Sequence, residues 1–516
     1  MKKILLFITL FIYFQFFTQA PQIEWQKCLG GTVDEEANSI QQTADGGYIF
    51  VGYTQSNDGD ITSNHGNNDV WVVKLDAMGV INWQKTLGGT AFESAFSIQQ
   101  TTDGGYILAG NTYSNDGDVI GADGTENIWV VKLDATGSVI WQKALGGTSS
   151  DWTYSIQQIT DGGYILVGST VSTNGDVTGN HGGYDIWVVK LDVTGNIIWQ
   201  KALGGTDSDY ASSIQQTTDG GYILVGQVYS NDGDVTANHG DFDVWVVKLN
   251  AVGNITWQKT LGGTLDDQFD GGGSSIQQTT DGGYILGIHT LSNDGDVTGN
   301  HGLDDAWIVK LDATGNITWK KCLGGTGNDI PESIHQTNDG GYILGGITNS
   351  NDGDVTNSHG EDGDFWAVKL DATGNIIWQK TLGGMGTDWP YSIEQTIDGA
   401  YILAGYTESN DGDITASHGN EDVWVVKLSA QDAGIETISD HSFNFIYPNP
   451  TSGIIQISEL YDTQKTTISI YDNVGKLLLK SNNTNAIDMS SFDNGMYQLV
   501  IKTDTFESTQ KVQVIK

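Results

Sequence analysis

The chain contains no arginine, two cysteines and five prolines in 516 residues. All 23 basic residues are lysines, set against 64 Asp and Glu, for a net charge of −41. Phosphate backbones are held by clustered Lys and Arg, so nucleic acid is excluded as a partner. Docking on anionic lipid is excluded on the same ground. The charge suits solubility, cations or a basic partner. Scarce proline beside 69 glycines excludes Pro-rich disorder and points to many tight turns. Cys28 and Cys322 occupy one slot of a repeat, where other copies carry Thr86, Ala144, Ala202, Thr260 and Thr381. Equivalent slots in non-adjacent repeats lie beyond the reach of a bridge, so no disulfide framework is expected.

Helical periodicity is also absent, and there is a single long apolar run, residues 4–17. It follows Lys2 and Lys3 and precedes Thr18-Gln19-Ala20. That is the pattern of a secretory signal over residues 1–20. The run is short for a bilayer span. No other segment is apolar enough to cross as a helix, so no membrane span is expected once the signal is removed. The remaining length is enough for more than one domain with a sizeable core.

What is present is repetition. Trp25, Trp83, Trp141, Trp199, Trp257, Trp319 and Trp378 each open a Trp-Gln-Lys or Trp-Lys-Lys segment, at spacings of 58, 58, 58, 58, 62 and 59. The long step holds extra residues near Asp270-Gly271-Gly272-Gly273. Fixed periods of this size mark repeat architectures. One unit, from Ser155, reads as four short strands: 155–159, 164–168, 186–191 and 197–203. The first two are joined by Asp161-Gly162, which supplies the positive φ of a tight hairpin. Strand three, as in Trp71-Val72-Val73-Lys74-Leu75, is β-branched and aromatic with large residues on both faces. Four antiparallel strands per unit make one propeller blade. Lys74 and Lys85 recur in every copy and read as structural, the latter guarding an outer edge.

The phase of the repeat predicts closure. Ile23–Lys27 is a fourth strand with no preceding three, and the last unit stops at Leu428 with no fourth. The N-terminal strand is expected to complete the last blade and shut a seven-bladed ring over residues 21–429, leaving few exposed edges.

The segment Lys190-Leu191-Asp192-Val193-Thr194-Gly195-Asn196-Ile197-Ile198-Trp199 resembles the docking motif of quinoprotein propeller repeats, and Asp161-Gly162-Gly163-Tyr164 is faintly similar to a kelch strand. The whole unit resembles propeller repeats of proteins secreted by Bacteroidetes. These resemblances imply a fold, not an activity. After a polar linker, 430–442, come Phe445-Ile446-Tyr447-Pro448-Asn449-Pro450, then Ile468–Lys476, Ile487–Tyr497 and Lys511–Lys516. In that order they resemble the type A C-terminal sorting domain of the type IX secretion system, here 443–516. Alternation in Thr467–Tyr471 and Tyr497–Ile501 shows a small β-sandwich. The resemblance implies an Ig-like domain that engages the type IX machinery. It places the mature protein outside the cell or attached to the outer membrane.

Chemistry is expected on the loops joining strands two to three and four to one. The first reads Asn-Asp-Gly-Asp-(Val/Ile)-Thr-x-Asn-His-Gly in most copies. It gathers Asp58 and Asp60 with His65 and Asp69 in the first copy. The corresponding sets are Asp176, His181 and Asp185; Asp234, His239 and Asp243; Asp296, His301 and Asp305; Asp354, His359 and Asp364; and Asp413, His418 and Asp422. The second copy departs, with Asp118 but Asn127 and no His. The other loop carries Glu35, Glu93, Asp151, Asp209, Asp267, Asp329 and Asp388. One reading is a cation site per blade: hard oxygens suit Ca²⁺, while His suits a transition metal. The other is turn chemistry, since Asp, Asn and Gly tie tight turns together. Trp152, Tyr210 and Trp389 share the slot after the loop acid and are candidate ligand-stacking residues.

No copy stands out as a catalytic centre, and no catalytic residue, Ser-His-Asp context, P-loop or dinucleotide fingerprint is identified. The expected function is a non-catalytic binding or adhesion module for an extracellular glycan or protein, where repeated loops add avidity. The alternatives are a secreted polysaccharide- or protein-degrading enzyme using the acidic loop face, and a structural surface-layer component.

Overall fold

The computed structural model describes residues 20–267, 275–360 and 362–430, and in the tail 446–447, 449–457, 467–472, 476–482, 484, 486–502 and 507–516. The signal run, the Asp270–Gly273 insertion and nearly all of the linker lie outside these residues. The chain divides into two units, Met1–Gln431 and Asp432–Lys516.

The first unit is all-β: the described residues form seven four-stranded antiparallel sheets and no α-helix. Sheet 1 comprises Glu35–Gln42, Tyr48–Thr54, Asp69–Leu75 and Ile81–Leu87, in that order. Sheets 2 to 6 repeat it over 93–145, 151–203, 209–261, 275–323 and 329–382. Sheet 7 holds Asp388–Gln395, Tyr401–Thr407 and Asp422–Leu428, and its fourth strand is Ile23–Leu29. The pairing is antiparallel, with Ile23 opposite Leu428 and Leu29 opposite Val423. The N-terminal strand therefore sits where the repeat phase predicts it.

Local chemistry explains each strand end. Gly46 takes φ +83° in the first hairpin, a conformation glycine adopts without a Cβ penalty. Asp45 Oδ1 accepts the Gly47 N–H at 3.0 Å, closing the turn. The same carboxylate holds the ammonium of Lys74 at 3.0 Å. Lys74 is buried, so its charge needs that partner. A bulge between Ala37 and Ser39 bends strand one. Gly52 lies opposite, where a Cβ would collide with the Glu36 carbonyl.

The core lies between sheets. Ile49, Val51, Val70 and Val72 of sheet 1 pack on Tyr106, Leu108, Trp129 and Val131 of sheet 2. Each such burial contributes roughly 1.5–3 kcal/mol. Strand three is buried on both faces, which is why it does not alternate. The marker tryptophan of strand four packs edge-on against the tyrosine of the next sheet, as Trp83 does on Tyr106 at 5.8 Å. Trp25 of sheet 7 does the same to Tyr48 of sheet 1 at 5.6 Å. Sheet 1 also shares a core with Ile402, Ala404, Val423 and Val425 of sheet 7.

The first strands of successive sheets are laced by glutamines. Gln100, Gln158, Gln216, Gln278, Gln336 and Gln395 each accept, through Oε1, a backbone N–H from the preceding sheet at 2.8–2.9 Å. Gln42 of sheet 1 accepts from Ile397 of sheet 7 at 2.8 Å, so the series returns to its start.

In the second unit a three-stranded and a four-stranded antiparallel sheet share a core of Ile455, Ile468, Ile470, Leu499, Ile501 and Val512, among others. Among the described residues no helix is long and apolar enough to cross a membrane.

Candidate functional site

The loop acids fall into distinct roles. Asp58 accepts the Thr32 N–H at 2.8 Å and its hydroxyl at 3.0 Å, which ties the loop after strand two to the loop before strand one. The histidines meet the aspartate four residues on: His65 Nδ1 lies 2.6 Å from Asp69 Oδ2, His181 2.6 Å from Asp185, His239 2.9 Å from Asp243 and His301 2.7 Å from Asp305. His418 and Asp422 stand at 3.7 Å. His359 and Asp364, five residues apart, stand at 3.5 Å.

The remaining aspartate of each set goes elsewhere. Asp60 Oδ2 accepts the Gly30 N–H at 3.2 Å, beside Glu35 and Asp422. Asp176, Asp354 and Asp413 sit likewise on Gly146, Gly324 and Gly383. Asp234 and Asp296 anchor through their backbone N–H on the Gly204 and Gly262 carbonyls. The acids thus regroup across the seams between sheets, rather than gathering within one copy as the spacing suggests. Among the described residues no group of three or more His, Cys, Asp and Glu side chains is drawn together as a metal site.

Each seam instead holds a buried pair of acids. Asp69 opens the third strand of one sheet and Glu93 the first strand of the next. Glu93 is fully satisfied: Oε1 accepts Thr112 Oγ1 at 2.8 Å and Ser114 N–H at 3.1 Å, and Oε2 accepts Gly89 N–H at 2.7 Å. Asp69 Oδ2 accepts His65 N–H at 2.8 Å, but its Oδ1 is buried with no partner, as are those of Asp185, Asp243, Asp305, Asp364 and Asp422. Burial pushes all six carboxyls up from their ordinary range. Asp267 and Asp388 are pushed up to about 6 by burial, against hydrogen bonds from Thr and Ser hydroxyls.

A second feature comes from positions where the copies differ. The residue after the strand-one acid is Glu36, Ser94, Trp152, Tyr210, Ile330 or Trp389. Its cross-strand partner is Tyr53, Asn111, Ser169, Gln227, Ile347 or Tyr406. The residue before strand three varies as widely, including Glu126, Tyr184, Phe242 and Glu421. Around these positions the scaffold barely changes.

The divergent side chains meet. Trp152 stacks on Tyr184 at 4.8 Å and 18°, and on Tyr210 at 6.0 Å and 20°. Tyr210 leads on to Phe242 and Tyr229. Two of the three candidate ligand residues therefore belong to one aromatic wall over sheets 3 and 4. The third, Trp389, donates from Nε1 to Glu332 Oε1 at 2.8 Å and lies beside Tyr391 at 6.2 Å. Its surroundings are acidic. Tyr53 donates to Glu36 Oε1 at 2.6 Å, and Glu36 also hydrogen-bonds Glu421. Burial, followed by the Glu36, Asp34, Glu408 and Glu35 charges, raises Glu421 to about 7. Sequence reasoning missed Glu36, Glu332 and Glu421 because it weighed what the copies share; departures from the repeat mark them.

Two further departures lie on strand one. Where other copies carry Gln41, Gln99, Gln157, Gln215 or Gln277, sheets 6 and 7 carry His335 and Glu394. Burial pushes the His335 imidazole down to about 4, and its Nε2 lies 3.1 Å from Ser333 Oγ.

Residues 445–516 match the family described as the secretion system C-terminal sorting domain. The tail is a type IX sorting domain, and the protein is exported, to end secreted or attached to the outer membrane at the cell surface. Over 428 residues the chain is 25% identical to the regulatory protein FlaEY of Caulobacter vibrioides, across 74% of this chain and 44% of that protein. It thus spans less than half of that relative's length. Among solved structures it is similar to a protein of unknown function from Dyadobacter fermentans (13% identity, TM-score 0.43, 80% of this chain and 100% of that one). It is also similar to the extracellular domain of a putative hybrid two-component system from B. thetaiotaomicron (13%, TM-score 0.40, 96% and 60%). A third is an alpha-L-arabinanase of Penicillium chrysogenum complexed with arabinobiose (11%, TM-score 0.35, 64% and 91%). At these levels none assigns a function.

Proposed function

We propose that residues 21–429 form a closed seven-bladed β-propeller, which follows a signal peptide at 1–20. A linker at 430–442 then joins it to an Ig-like sorting domain at 443–516 that engages the type IX machinery. Support for closure comes from the glutamine series that returns to Gln42 and from Trp25 packing on Tyr48. The exported propeller acts as a non-catalytic binding or adhesion module for an extracellular glycan or protein. One observation carries this reading: near-identical copies diverge at paired positions, and there their aromatics cluster as Trp152, Tyr184 and Tyr210. A constant scaffold with variable contact residues is how a repeat protein acquires a specific surface, and such aromatics stack on sugars or anchor protein partners.

Glycan and protein arrays probed with the purified chain test this. Wild type is expected to bind, and Trp152→Ala or Trp389→Ala to weaken binding about tenfold or more, on the order of 1.4 kcal/mol. Variants equal to wild type on every bound ligand would remove the aromatic surface from the reading.

A second reading has one specific support. Two carboxyls in one hydrogen bond, one of them pushed up to about 7, can share a proton as the acid pair of a hydrolase does, and Glu421 is so placed on Glu36. A turnover screen on proteins and polysaccharides with wild type and Glu421→Gln decides it. Turnover lost in the variant favours the enzyme; no turnover at all leaves binding as the function.

A further inference from the structure

We propose that each of six seams between sheets binds one hard divalent cation, Ca²⁺ in the extracellular medium, as a clasp between neighbouring blades. The ligating oxygens are Oδ1 of the Asp that opens the third strand of one sheet and the acid that opens the next sheet.

The seam at Gly88 shows the argument. Asp69 is fully buried, and its Oδ1 has no protein partner. A Cβ built on Gly88 would lie 2.7 Å from that oxygen and 2.7 Å from Glu93 Oε2, so the two carboxylate oxygens converge beside one glycine. Glycine leaves them that approach. Asp118 Oδ2 stands on the Gly88 N–H at 3.3 Å, a third acid at the rim. At Gly204 the corresponding distances are 2.9 Å to Asp185 Oδ1 and 2.5 Å to Asp209 Oδ2.

A buried carboxylate oxygen with no donor costs free energy unless something positive meets it. At Asp69, Asp185, Asp243 and Asp305 the histidine meets only the other oxygen, while His359 and His418 approach Oδ1 of Asp364 and Asp422 at 3.5 and 3.7 Å without a hydrogen bond. Among the described residues no lysine is hydrogen-bonded to the side chain of a paired acid: the strand-three lysines are held by the turn acids, as Lys74 is by Asp45. The same orphan oxygen recurs at six seams.

The seventh seam behaves as an internal control. There Asn127 replaces the aspartate, and its Nδ2 donates to the Gly147 carbonyl at 3.4 Å. Its loop also lacks the histidine. A cavity of about 340 Å³, lined by Asp123, Asn127, Thr148, Asn174 and Asp176, opens at that place. Acid and histidine therefore come and go together, as expected if both belong to one charged site.

Two side-chain carboxylates are too few for a transition-metal set. Ca²⁺ takes six to eight oxygens, including carbonyls and water, and extracellular modules bind it at roughly 10⁻⁴–10⁻³ M. An exported protein meets it at such concentrations.

Equilibrium dialysis of the full chain against radiolabelled Ca²⁺ at about 5 mM, in about 0.15 M NaCl to screen the acidic surface, counts the ions. Thermal melts in EGTA and in Ca²⁺ are run beside it. We expect about six ions per chain and a midpoint at least ~5 °C higher in Ca²⁺. Asp69→Asn should remove one ion and Asp69→Asn with Asp185→Asn two, while ions held loosely by surface charge are unaffected. Superimposable melts in EGTA and Ca²⁺ would overturn the proposal. So would an ion count that both variants leave unchanged, or a midpoint that responds to acid but not to Ca²⁺, which assigns protons to the seams. Should a variant not fold, the wild-type count and melts decide alone.

Discussion

Deleting residues 21–29 is expected to abolish cooperative unfolding of the repeat region, or to lower its midpoint by more than ~10 °C. Adding a peptide of that segment should restore it. Ile23–Leu29 is the fourth strand of a sheet whose other three lie some 400 residues on (Trp25 faces Lys427, for example). Its removal strips the ladder from Asp422–Leu428, a strand buried on both faces, and exposes a long apolar edge. Gln26 would no longer accept from Trp424 Nε1 at 2.8 Å or donate to the Asp413 carbonyl at 2.6 Å. Leu29 and Trp25 would leave the core shared by sheets 7 and 1. Loss of one edge strand from an open array would affect the terminal repeat alone. Loss from a ring opens every seam to fraying, so a single broad shift in midpoint separates the two architectures. Calorimetry of the deletion, with and without peptide, gives the answer; an unchanged midpoint would remove the basis for closure. Strand addition in trans follows the usual rules of β-augmentation.

Much of this architecture was legible in the sequence because its determinants are local. Asp-Gly turns, alternation in strand one, and the apolar run of strand three each specify their own element, and seven copies reinforce one reading. The pairing of Ile23 with Leu428 followed from phase alone. The acid sites were not legible, for a physical reason. Residues close in sequence within one loop point to different seams: Asp60 turns back to Gly30, while Asp69 turns forward to Glu93. Spacing within a copy cannot reveal a partner supplied by the next copy. The lysines show the same limit. Lys74 was readable as structural, but its partner Asp45, in the hairpin turn one strand earlier, appeared in sequence only as a turn residue. Trp152 and Tyr210 were found because they break the repeat, whereas Glu36, Glu332 and Glu421 break it equally and passed unnoticed among so many acids.

Glu394 is another such departure, and replacing it should stabilise the protein in a pH-dependent way. Its Oε1 accepts the Gln42 backbone N–H, as Gln41 accepts from Gln100 at 2.7 Å in the neighbouring seam. Burial raises the Glu394 carboxyl to about 7, and the Gln42 bond only partly opposes this. A folded-state pKa above the unfolded one means the native protein binds the extra proton. That contribution is complete below the ordinary value near 4.5 and is lost as pH rises through 7. The rise from 4.5 to about 7 corresponds to about 3 kcal/mol, which partial exposure of Glu394 reduces to a cost of about 2 kcal/mol for the native state's charge at pH 8. Glu394→Gln keeps the acceptor and removes the charge. Its midpoint at pH 8 is therefore expected about 2–3 °C above wild type, with the difference vanishing near pH 4.5. Glu421, also near 7, retains its own dependence, so the variant's profile should flatten without becoming level. An equal gain at both pH values would assign the effect to packing; no gain at pH 8 would mean that the carboxylate is solvated in the native state.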